Sequence, residues 1–132
     1  MGYSFPLNLK RGEEKLNRPQ NPTKPYPYKT EEVTFTNVTD KAMLAGTMCY
    51  PVNYQKGKTP VVLMVTGSGL ENRDEEVFNH KPFLVIADYL ARNGIATLRY
   101  DDRTFGESKG GDVKNATTKD FARDAEAGIA YL

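Results

Sequence analysis

The sequence lacks the features of disulfide-stapled, membrane-spanning and nucleic-acid-binding proteins. Its single cysteine, Cys49, cannot form an internal disulfide. The longest apolar run, residues 61–65, is far shorter than the roughly 20 residues that cross a bilayer. The first residues lack the basic and apolar segments of a signal peptide, so none is expected in this sequence. The cellular location is not assigned. With 18 basic and 17 acidic residues the net charge is +1, which does not suggest a nucleic-acid partner.

The remaining composition fits one α/β or α+β domain, because 132 residues rarely build two separate cores. Five of the eight prolines lie in residues 1–30. Because proline fixes φ and removes a backbone donor, we predict an extended or polyproline II segment there. We assign residues 1–30 to a linker or arm and residues 31–132 to the domain. Docking of the arm onto the domain through Tyr26 and Tyr28 is the alternative.

Alternating apolar residues predict an antiparallel hairpin at the start of the domain. Its strands cover residues 31–37 and 43–50, and the polar turn 39–41 joins them. Residues 60–66 form a continuous β-rich run, which is typical of a strand buried on both faces. A second short run, residues 95–100, predicts another buried strand.

Two segments with helical spacing of apolar residues complete the pattern. The first helix is predicted over residues 82–92, with Pro82 in its first turn. Its inner face would carry Phe83, Ile86, Ala87 and Leu90. After a glycine-rich loop over residues 101–115, the second helix begins near Thr117, which forms a variant capping box with Asp120. Its inner face would carry Phe121, Ala125, Gly128, Ile129 and Leu132.

The predicted order is β-β-β-α-β-α, in which a helix joins two buried parallel strands. This crossover indicates the α/β class, with helices on both faces of the sheet. Ligands in such sheets bind outside the carboxyl ends of the strands, where residues 67–69 and the loop from Asp101 would meet. A helix at the end of this order normally leads into another strand, so we expect the sequence to be part of a longer fold.

A dinucleotide site is one interpretation of these two loops. A glycine turn after a strand, then a helix, then a strand ending in Asp101 and Asp102 has the layout of a Rossmann unit. The spacing argues against it, because the Gly-x-Gly-x-x-Gly motif would require glycine where Asn72 stands. The helix also begins more than ten residues after the glycines, too far for its amides to face a pyrophosphate.

Four blocks of sequence, residues 61–69, 72–75, 80–90 and 94–103, carry a resemblance to a known family. Together they resemble the N-terminal half of bacterial serine α/β-hydrolases, in the subgroup related to feruloyl (cinnamoyl) esterases and dienelactone-hydrolase-like enzymes. The resemblance extends from about residue 18 to residue 132. It implies part of an α/β-hydrolase fold and a small-molecule ester substrate, in an esterase or a peptidase-like hydrolase. No cofactor and no metal are expected.

The resemblance implies that the turn after the third strand supplies one amide of an oxyanion hole. By resemblance that amide belongs to Ser68, and Gly67 and Gly69 on either side let the main chain expose it. A tetrahedral intermediate needs fixed donors for its negative charge, and losing one donor costs about 10²–10³ in rate. His80 follows this turn and is a candidate to line the site. A histidine at the start of a helix more commonly binds backbone or water, and that role stays open for His80.

The catalytic triad of such enzymes is absent from the sequence. No Gly-x-Ser-x-Gly elbow occurs, and neither Ser68 nor Ser108 lies between a strand and an immediate helix. The single histidine, His80, precedes any place for a nucleophile, and pairing with Cys49 is disfavoured because Cys49 falls in an early strand. We therefore expect this chain alone to be inactive. The alternative function is a non-catalytic interaction domain or a degenerate relative.

The loop over residues 101–108 resembles a family stretch, Asp-x-Arg-Gly-x-Gly-x-Ser, with a structural role. That role is expected for Asp101, Asp102, Arg103, Gly106 and Ser108. Thr104 occupies the first glycine position, and if positive φ is needed there a β-branched residue costs about 1–3 kcal/mol. The acids nearby could suggest a metal or a glycosidase pair, but Arg73 and Arg103 favour ion pairs. These acids are Asp74, Glu75, Glu76, Asp101 and Asp102.

The resemblance also predicts a free strand edge. In the α/β-hydrolase order the third strand lies between the fourth and the fifth, so residues 60–66 would here pair only with residues 95–100. An apolar edge of that length promotes association, and we expect self-association through it.

Overall fold

The computed structural model describes residues 2, 4, 6, 11–12, 16–67 and 69–132. Their secondary structure follows the predicted order, with one two-residue strand added in the glycine-rich loop. The elements are β1 (Lys29–Asn37), β2 (Ala42–Tyr50), β3 (Val61–Met64), α1 (Pro82–Arg92), β4 (Ala96–Tyr100), β5 (Lys109–Gly110) and α2 (Thr118–Tyr131). The predicted α/β class is therefore confirmed. In this part of the chain, neither helix has the length and apolar character to cross a membrane.

The five strands form one mixed sheet, in which four of them lie in the order β1-β2-β4-β3. β1 and β2 form the predicted antiparallel hairpin, with Phe35 opposite Leu44. β2 also runs antiparallel to β4, whereas β3 and β4 are parallel, with Leu63 opposite Leu98. β5 pairs with the start of β2. Because α1 connects β3 to β4, these two strands form a β-α-β unit whose carboxyl ends meet at one edge of the sheet.

One face of the sheet carries the larger hydrophobic core, against which α2 packs. Its buried residues are Val33, Phe35, Leu44, Met48, Ala96, Leu98 and Tyr100. They alternate along the strands, as side chains on one face must. Gly128 lets α2 approach closely, because a Cβ there would lie 3.1 Å from Leu63 and 3.4 Å from Phe35. The burial predicted for Gly128 is thus confirmed, and close packing is its reason.

The opposite face holds a smaller core beneath α1 and the end of the N-terminal arm. The residues buried there are Tyr28, Cys49, Met64, Ala87 and Ala91. The Tyr28 hydroxyl donates to Asp88 Oδ1 at 2.9 Å, and Tyr26 stacks on Tyr28 with ring centroids 5.1 Å apart. The structure thus docks these two tyrosines onto the domain, and Tyr28 belongs to its core.

β3 is an edge strand, and its burial differs from the prediction for residues 60–66. Only Val61–Met64 are extended in the sheet, and they pair with β4. Met64 is buried, but Val62 is 39% exposed. Burial on both faces is a wrong prediction, because Val62, which by alternation shares a face with Met64, is left partly uncovered. Within the described ranges no strand pairs with the free side of β3. The edge position predicted for this strand is confirmed.

α1 has the predicted bounds but not the whole predicted inner face. Pro82 lies at its start, where the missing N–H has no helical partner to lose. Its buried residues are Ala87 and Ala91. Ile86, which we expected to be buried, is 45% exposed. Small side chains face the sheet because they let the helix backbone approach it.

α2 begins as predicted, and the expected capping box is present at its N-terminus. Its buried residues are Asp124 and Gly128. Ile129 is 62% exposed and Leu132 is exposed, so their predicted burial is wrong. Asp124 occupies an inward position because its carboxylate pairs with Arg103.

Candidate active site

The loops after β3 and β4 lie side by side, as the parallel pairing of these strands requires. Residues 65–70, called the β3 turn below, follow β3, and Asp101 and Asp102 follow β4. A cleft of about 830 Å³ opens between the β3 turn and the first half of α2. Apolar residues along it include Val65, Leu70, Tyr100, Val113 and Phe121. Ser68 lies outside the described residues, so the direction of its amide stays a prediction.

Asp102 binds Thr66 within the β3 turn and Glu71, the residue that directly follows it. Its Oδ1 accepts a hydrogen bond from the Thr66 hydroxyl at 2.8 Å, and its Oδ2 accepts one from Glu71 N–H at 2.9 Å. Its own N–H donates to the Glu71 carbonyl at 3.1 Å. Burial raises the pKa of the Asp102 carboxyl, although the two donors act in the opposite direction. The β3 turn is therefore fixed from β4.

Glu75 engages one amide of the β3 turn. Gly67 N–H donates to Glu75 Oε1 at 2.7 Å, and a Cβ on Gly67 would lie 3.1 Å from the same oxygen. Gly69 has a φ of 96°, a conformation that residues with a side chain rarely adopt. Of the predicted site residues, Gly67 therefore donates its N–H to Glu75, and Gly69 allows the backbone to bend through its positive φ.

Asp101 and Arg73 form a charged pair beside this turn. Asp101 Oδ1 accepts from Arg73 N–H at 2.8 Å and from Nε at 3.1 Å, and Oδ2 accepts from Nη2 at 2.8 Å. Burial alone would raise the pKa of the Asp101 carboxyl, but hydrogen bonds from Arg73 and from Glu107 N–H lower it below its ordinary value. Arg73 also donates to Glu32 and Thr47, on β1 and β2. The pair ties the segment after the β3 turn to the sheet.

The loop over residues 101–108 is held by its own contacts. Ser108 Oγ donates to the Asp101 carbonyl at 2.7 Å and accepts from Ala45 N–H at 2.9 Å. Gly106 has a φ of 53°, and a Cβ there would lie 2.5 Å from Asp101 Oδ2. Thr104 has a φ of 61°, so its departure from glycine places a β-branched residue in the left-handed region. The buried Ser108 hydroxyl is thus committed to the backbone on both sides.

Arg103 joins the same loop to α2. Its buried guanidinium donates from Nε and Nη2 to the Asp124 carboxylate, at 2.7 and 2.8 Å. Nη2 also donates to Asp40 Oδ2 at 3.0 Å, in the turn between β1 and β2. We did not identify either acid from the sequence. The available signal was an aspartate, Asp124, among the apolar positions of the helix.

Buried Arg99 and half-buried Asp74 form a second ion pair that the sequence did not indicate. Arg99 lies on β4 and is 4% exposed. Its Nη1 is 3.0 Å from Asp74 Oδ1, close enough for an ion pair, but the two atoms do not have the geometry of a hydrogen bond. The expected pairing of Asp74 with Arg73 or Arg103 is wrong, because those two arginines engage other acids. The expected ion pair of Asp102 with an arginine is also wrong. Its donors among the described residues are the Thr66 hydroxyl and Glu71 N–H.

His80 lies beside the β3 turn, whereas Cys49 does not. His80 is exposed and lines a cavity of about 400 Å³ with Gly67, Glu71 and Glu75. Cys49 is buried in the smaller core, and burial raises the pKa of its thiol. The structure therefore does not pair the two as nucleophile and base. Over the ranges that the structure covers, no group of His, Cys, Asp and Glu side chains is arranged to hold a metal ion.

Comparisons with family models and with curated proteins find no match for this sequence. Solved structures do match. The hypothetical protein PA2218 of Pseudomonas aeruginosa gives a TM-score of 0.62 at 24% identity, over 89% of this chain and 35% of that one. The α/β hydrolase GrgF of Penicillium sp. sh18 gives 0.59 at 21% identity, over 78% of this chain and 32% of that one. The esterase Pf2001 of Pyrococcus furiosus gives 0.58 at 22% identity, over 80% and 36%.

These likenesses show the fold. The chain has part of an α/β-hydrolase fold, and it spans about a third of the length of each of the three proteins. The predicted fold and the coarse resemblance to hydrolases and esterases are confirmed. The narrower resemblance to feruloyl esterases and dienelactone hydrolases stays a prediction.

Proposed function

We propose that this chain forms the oxyanion-hole side of the active site in a serine carboxylic-ester hydrolase. The observation that carries the proposal is the way Asp102 and Glu75 fix the β3 turn at the carboxyl end of a parallel strand. Ligands in open α/β sheets bind at that edge. The fold shared with an α/β hydrolase and an esterase supports the choice of reaction.

An oxyanion hole works when its donors are in position before the reaction. Negative charge develops on the carbonyl oxygen of an ester as the tetrahedral intermediate forms, and fixed N–H groups stabilise that charge without reorganising. Asp102 binds Thr66 within the β3 turn and Glu71 just after it, and Glu75 engages Gly67 N–H. In this proposal the amide of Ser68 is the donor, and the Ser68 hydroxyl has no catalytic role.

The cleft beside the β3 turn is the proposed acyl-binding region. Its volume of about 830 Å³ lies in the range of small-molecule sites, roughly 300–1,000 Å³. Leu70, Tyr100 and Phe121 contribute apolar surface to it. Binding in the cleft would remove the apolar surface of an acyl group from water, which stabilises the complex by about 25 cal/mol for each Å² buried.

The nucleophile, its base and its acid would come from polypeptide outside these 132 residues. The sequence contains no Gly-x-Ser-x-Gly elbow. Ser108 is unsuited to the role, because its hydroxyl bonds to Asp101 and Ala45 backbone. The 132-residue chain is therefore expected to be inactive by itself.

A fluorophosphonate probe and short p-nitrophenyl esters test this proposal on two forms of the protein. The coding sequence downstream of codon 132 is determined, and the full open reading frame is expressed beside the 132-residue chain. We expect labelling and hydrolysis by the longer form and neither by the shorter one. Labelling of the shorter chain at Ser68 or Ser108 would contradict the assignment of the nucleophile. A stop codon there, or an inert folded longer form carrying Gly-x-Ser-x-Gly, would favour the non-catalytic interaction domain.

A further inference from the structure

Residues 77–80 form a strained hairpin turn beside the proposed site. Val77 N–H donates to the His80 carbonyl at 3.0 Å, and His80 N–H donates back to the Val77 carbonyl at 2.8 Å. The central residues, Phe78 and Asn79, have φ values of 49° and 62°. Two-residue turns with positive φ at both positions favour Asn-Gly, and phenylalanine is strained there. Phe78 is also 80% exposed, so burial of its side chain does not compensate for this strain.

The N-terminal arm holds this turn from outside. Arg18 Nε donates to the Phe78 carbonyl at 3.1 Å, and Asn21 Nδ2 donates to the Asn79 carbonyl at 3.0 Å. Both donors belong to one β-turn, because Asn21 N–H bonds to the Arg18 carbonyl at 3.0 Å. Pro19 occupies the second position of that turn, where its fixed φ is favoured. A pre-formed turn therefore contacts both strained residues of the hairpin.

The hairpin belongs to the loop that engages the β3 turn. The same loop, residues 71–80, provides Glu75, whose Oε1 accepts from Gly67 N–H at 2.7 Å. Val77 and His80 line the cavity that Gly67 also lines. Glu75 itself has a φ of 52°, which makes it a third strained residue in this loop. Strained residues persist only where the surrounding contacts fix them. Asn72 bonds to the backbone N–H groups of residues 74–76, and the arm supplies the contacts at the hairpin end of the same loop.

We propose that residues 18–21 are a clamp, in which Arg18 and Asn21 hold the hairpin and thereby keep Glu75 on the β3 turn. Both are positioning residues rather than catalytic ones. The value of the clamp for activity rests on the proposed function, but its structural effect requires neither substrate nor nucleophile. Loss of the two arm contacts should loosen residues 71–80 and Gly67 together.

Hydrogen–deuterium exchange followed by mass spectrometry tests the clamp on the 132-residue chain. In the variant Arg18→Ala/Asn21→Ala, peptides covering residues 67–80 should exchange about fivefold faster or more, because each lost hydrogen bond is worth about that factor. Gln20→Ala is the matched control, since Gln20 lies in the same turn and is exposed. Peptides of β4 should exchange at unchanged rates in both variants.

A compensating substitution separates clamping from general destabilisation. Phe78→Asn with Asn79→Gly gives the hairpin the residues that such a turn favours, so it should restore slow exchange in the Arg18→Ala/Asn21→Ala background. Exchange in Arg18→Ala/Asn21→Ala equal to that of Gln20→Ala, or faster exchange throughout β4, would overturn the clamp. If the longer form of the protein is inactive, the proposed function fails, but faster exchange in Arg18→Ala/Asn21→Ala would still support the clamp. If the longer form is active and this variant exchanges at the parent rate, only the clamp fails.

Discussion

The Thr66 hydroxyl donates a hydrogen bond to the Asp102 carboxylate at 2.8 Å, although the two residues lie 36 positions apart in the sequence. Their strands, β3 and β4, are parallel neighbours, so the residues just beyond both carboxyl ends meet. The turn that follows one strand is thereby fixed by the residue that follows the other. The stability of this contact and the geometry of the proposed oxyanion hole are therefore linked.

Replacing Asp102 with asparagine should lower the free energy of unfolding by about 1–3 kcal/mol. The Thr66 hydroxyl and Glu71 N–H donate to different oxygens of the carboxylate, and asparagine replaces one of these oxygens with an NH2 group, which cannot accept a hydrogen bond. Urea unfolding followed by circular dichroism measures the loss. Thr66→Val removes only the first donor and should cost less. Equal stability of Asp102→Asn and the parent chain would show that the turn does not depend on this carboxylate.

Asp101 and Asp102 should contribute to acid stability with opposite signs. Burial acts to raise the pKa of Asp101, but hydrogen bonds from Arg73 and Glu107 N–H lower it below the unfolded value of about 3.9. Its stabilisation is therefore complete above that value and is lost as pH falls through the folded-state pKa. Burial raises the pKa of Asp102 although its two donors act in the opposite direction, so the fold is less stable with this carboxyl ionised than with it protonated, and that cost disappears as pH falls.

Unfolding free energies between about pH 3 and pH 7 measure these two signs. Asp101→Asn should make the loss of stability in acid shallower, and Asp102→Asn should make it steeper. Each variant is the control for the other, because the two residues are adjacent and both are buried. Parallel pH profiles for the two variants would contradict the assignment.

Residues close in the chain were sufficient to predict the elements whose signals are local. The bounds of α1, the hairpin of β1 and β2, and the capping box of α2 all depend on periodicity or on side chains three positions apart. The free edge of β3 could be predicted only from the strand order of a known fold, because its own sequence resembles that of a central strand.

The long-range pairs could not be predicted from the sequence. Arg99 on β4 meets Asp74 in the loop between β3 and α1, and Arg103 after β4 meets Asp124 on α2. Each pair joins two segments that become neighbours only in the folded chain. The exposure of Ile86 was also unpredictable from local sequence. α1 turns Ala87 and Ala91 toward the sheet, because small side chains allow close packing, and Ile86 lies outside that face. Hydrophobic spacing alone does not distinguish these outcomes.

Thr104→Gly should stabilise the chain by about 1–2 kcal/mol. Thr104 is exposed and has a φ of 61°, which glycine adopts without strain. That gain should exceed the entropy that glycine adds to the unfolded chain. Gly106→Ala is the converse control, because it introduces a Cβ 2.5 Å from Asp101 Oδ2 and should destabilise. A lower melting temperature for Thr104→Gly would contradict the presence of strain.

The free edge of β3 should make the chain self-associate. Val61–Met64 pair with β4, and both Val62 and Val65 are exposed beside the free side. Apolar strand edges of this kind pair with other chains. Light scattering at concentrations on the order of tens of micromolar should detect association, and Val62→Lys should reduce it. Val52→Lys, at an exposed valine outside the strands, should not. A monodisperse monomer would contradict this prediction.

Removal of a single N–H tests the oxyanion role of Ser68 in the longer, active form that the proposal expects. Ser68→Pro deletes the amide hydrogen, whereas Ser68→Ala deletes only the hydroxyl. We expect Ser68→Ala to keep the parent kcat, and Ser68→Pro to lose about 10²–10³ in kcat with little change in KM, because the donor acts in the transition state.

Proline also restricts φ, so a second change with the same loss of N–H separates the two effects. Incorporating an α-hydroxy acid at position 68 replaces the amide N–H with an ester oxygen and leaves φ unrestricted. Both changes should reduce kcat to a similar extent while the melting temperature stays near that of Ser68→Ala. A loss of activity in Ser68→Ala would assign the role to the hydroxyl. Full activity of the backbone ester would exclude the Ser68 amide from the oxyanion hole, because the ester oxygen has no hydrogen to donate.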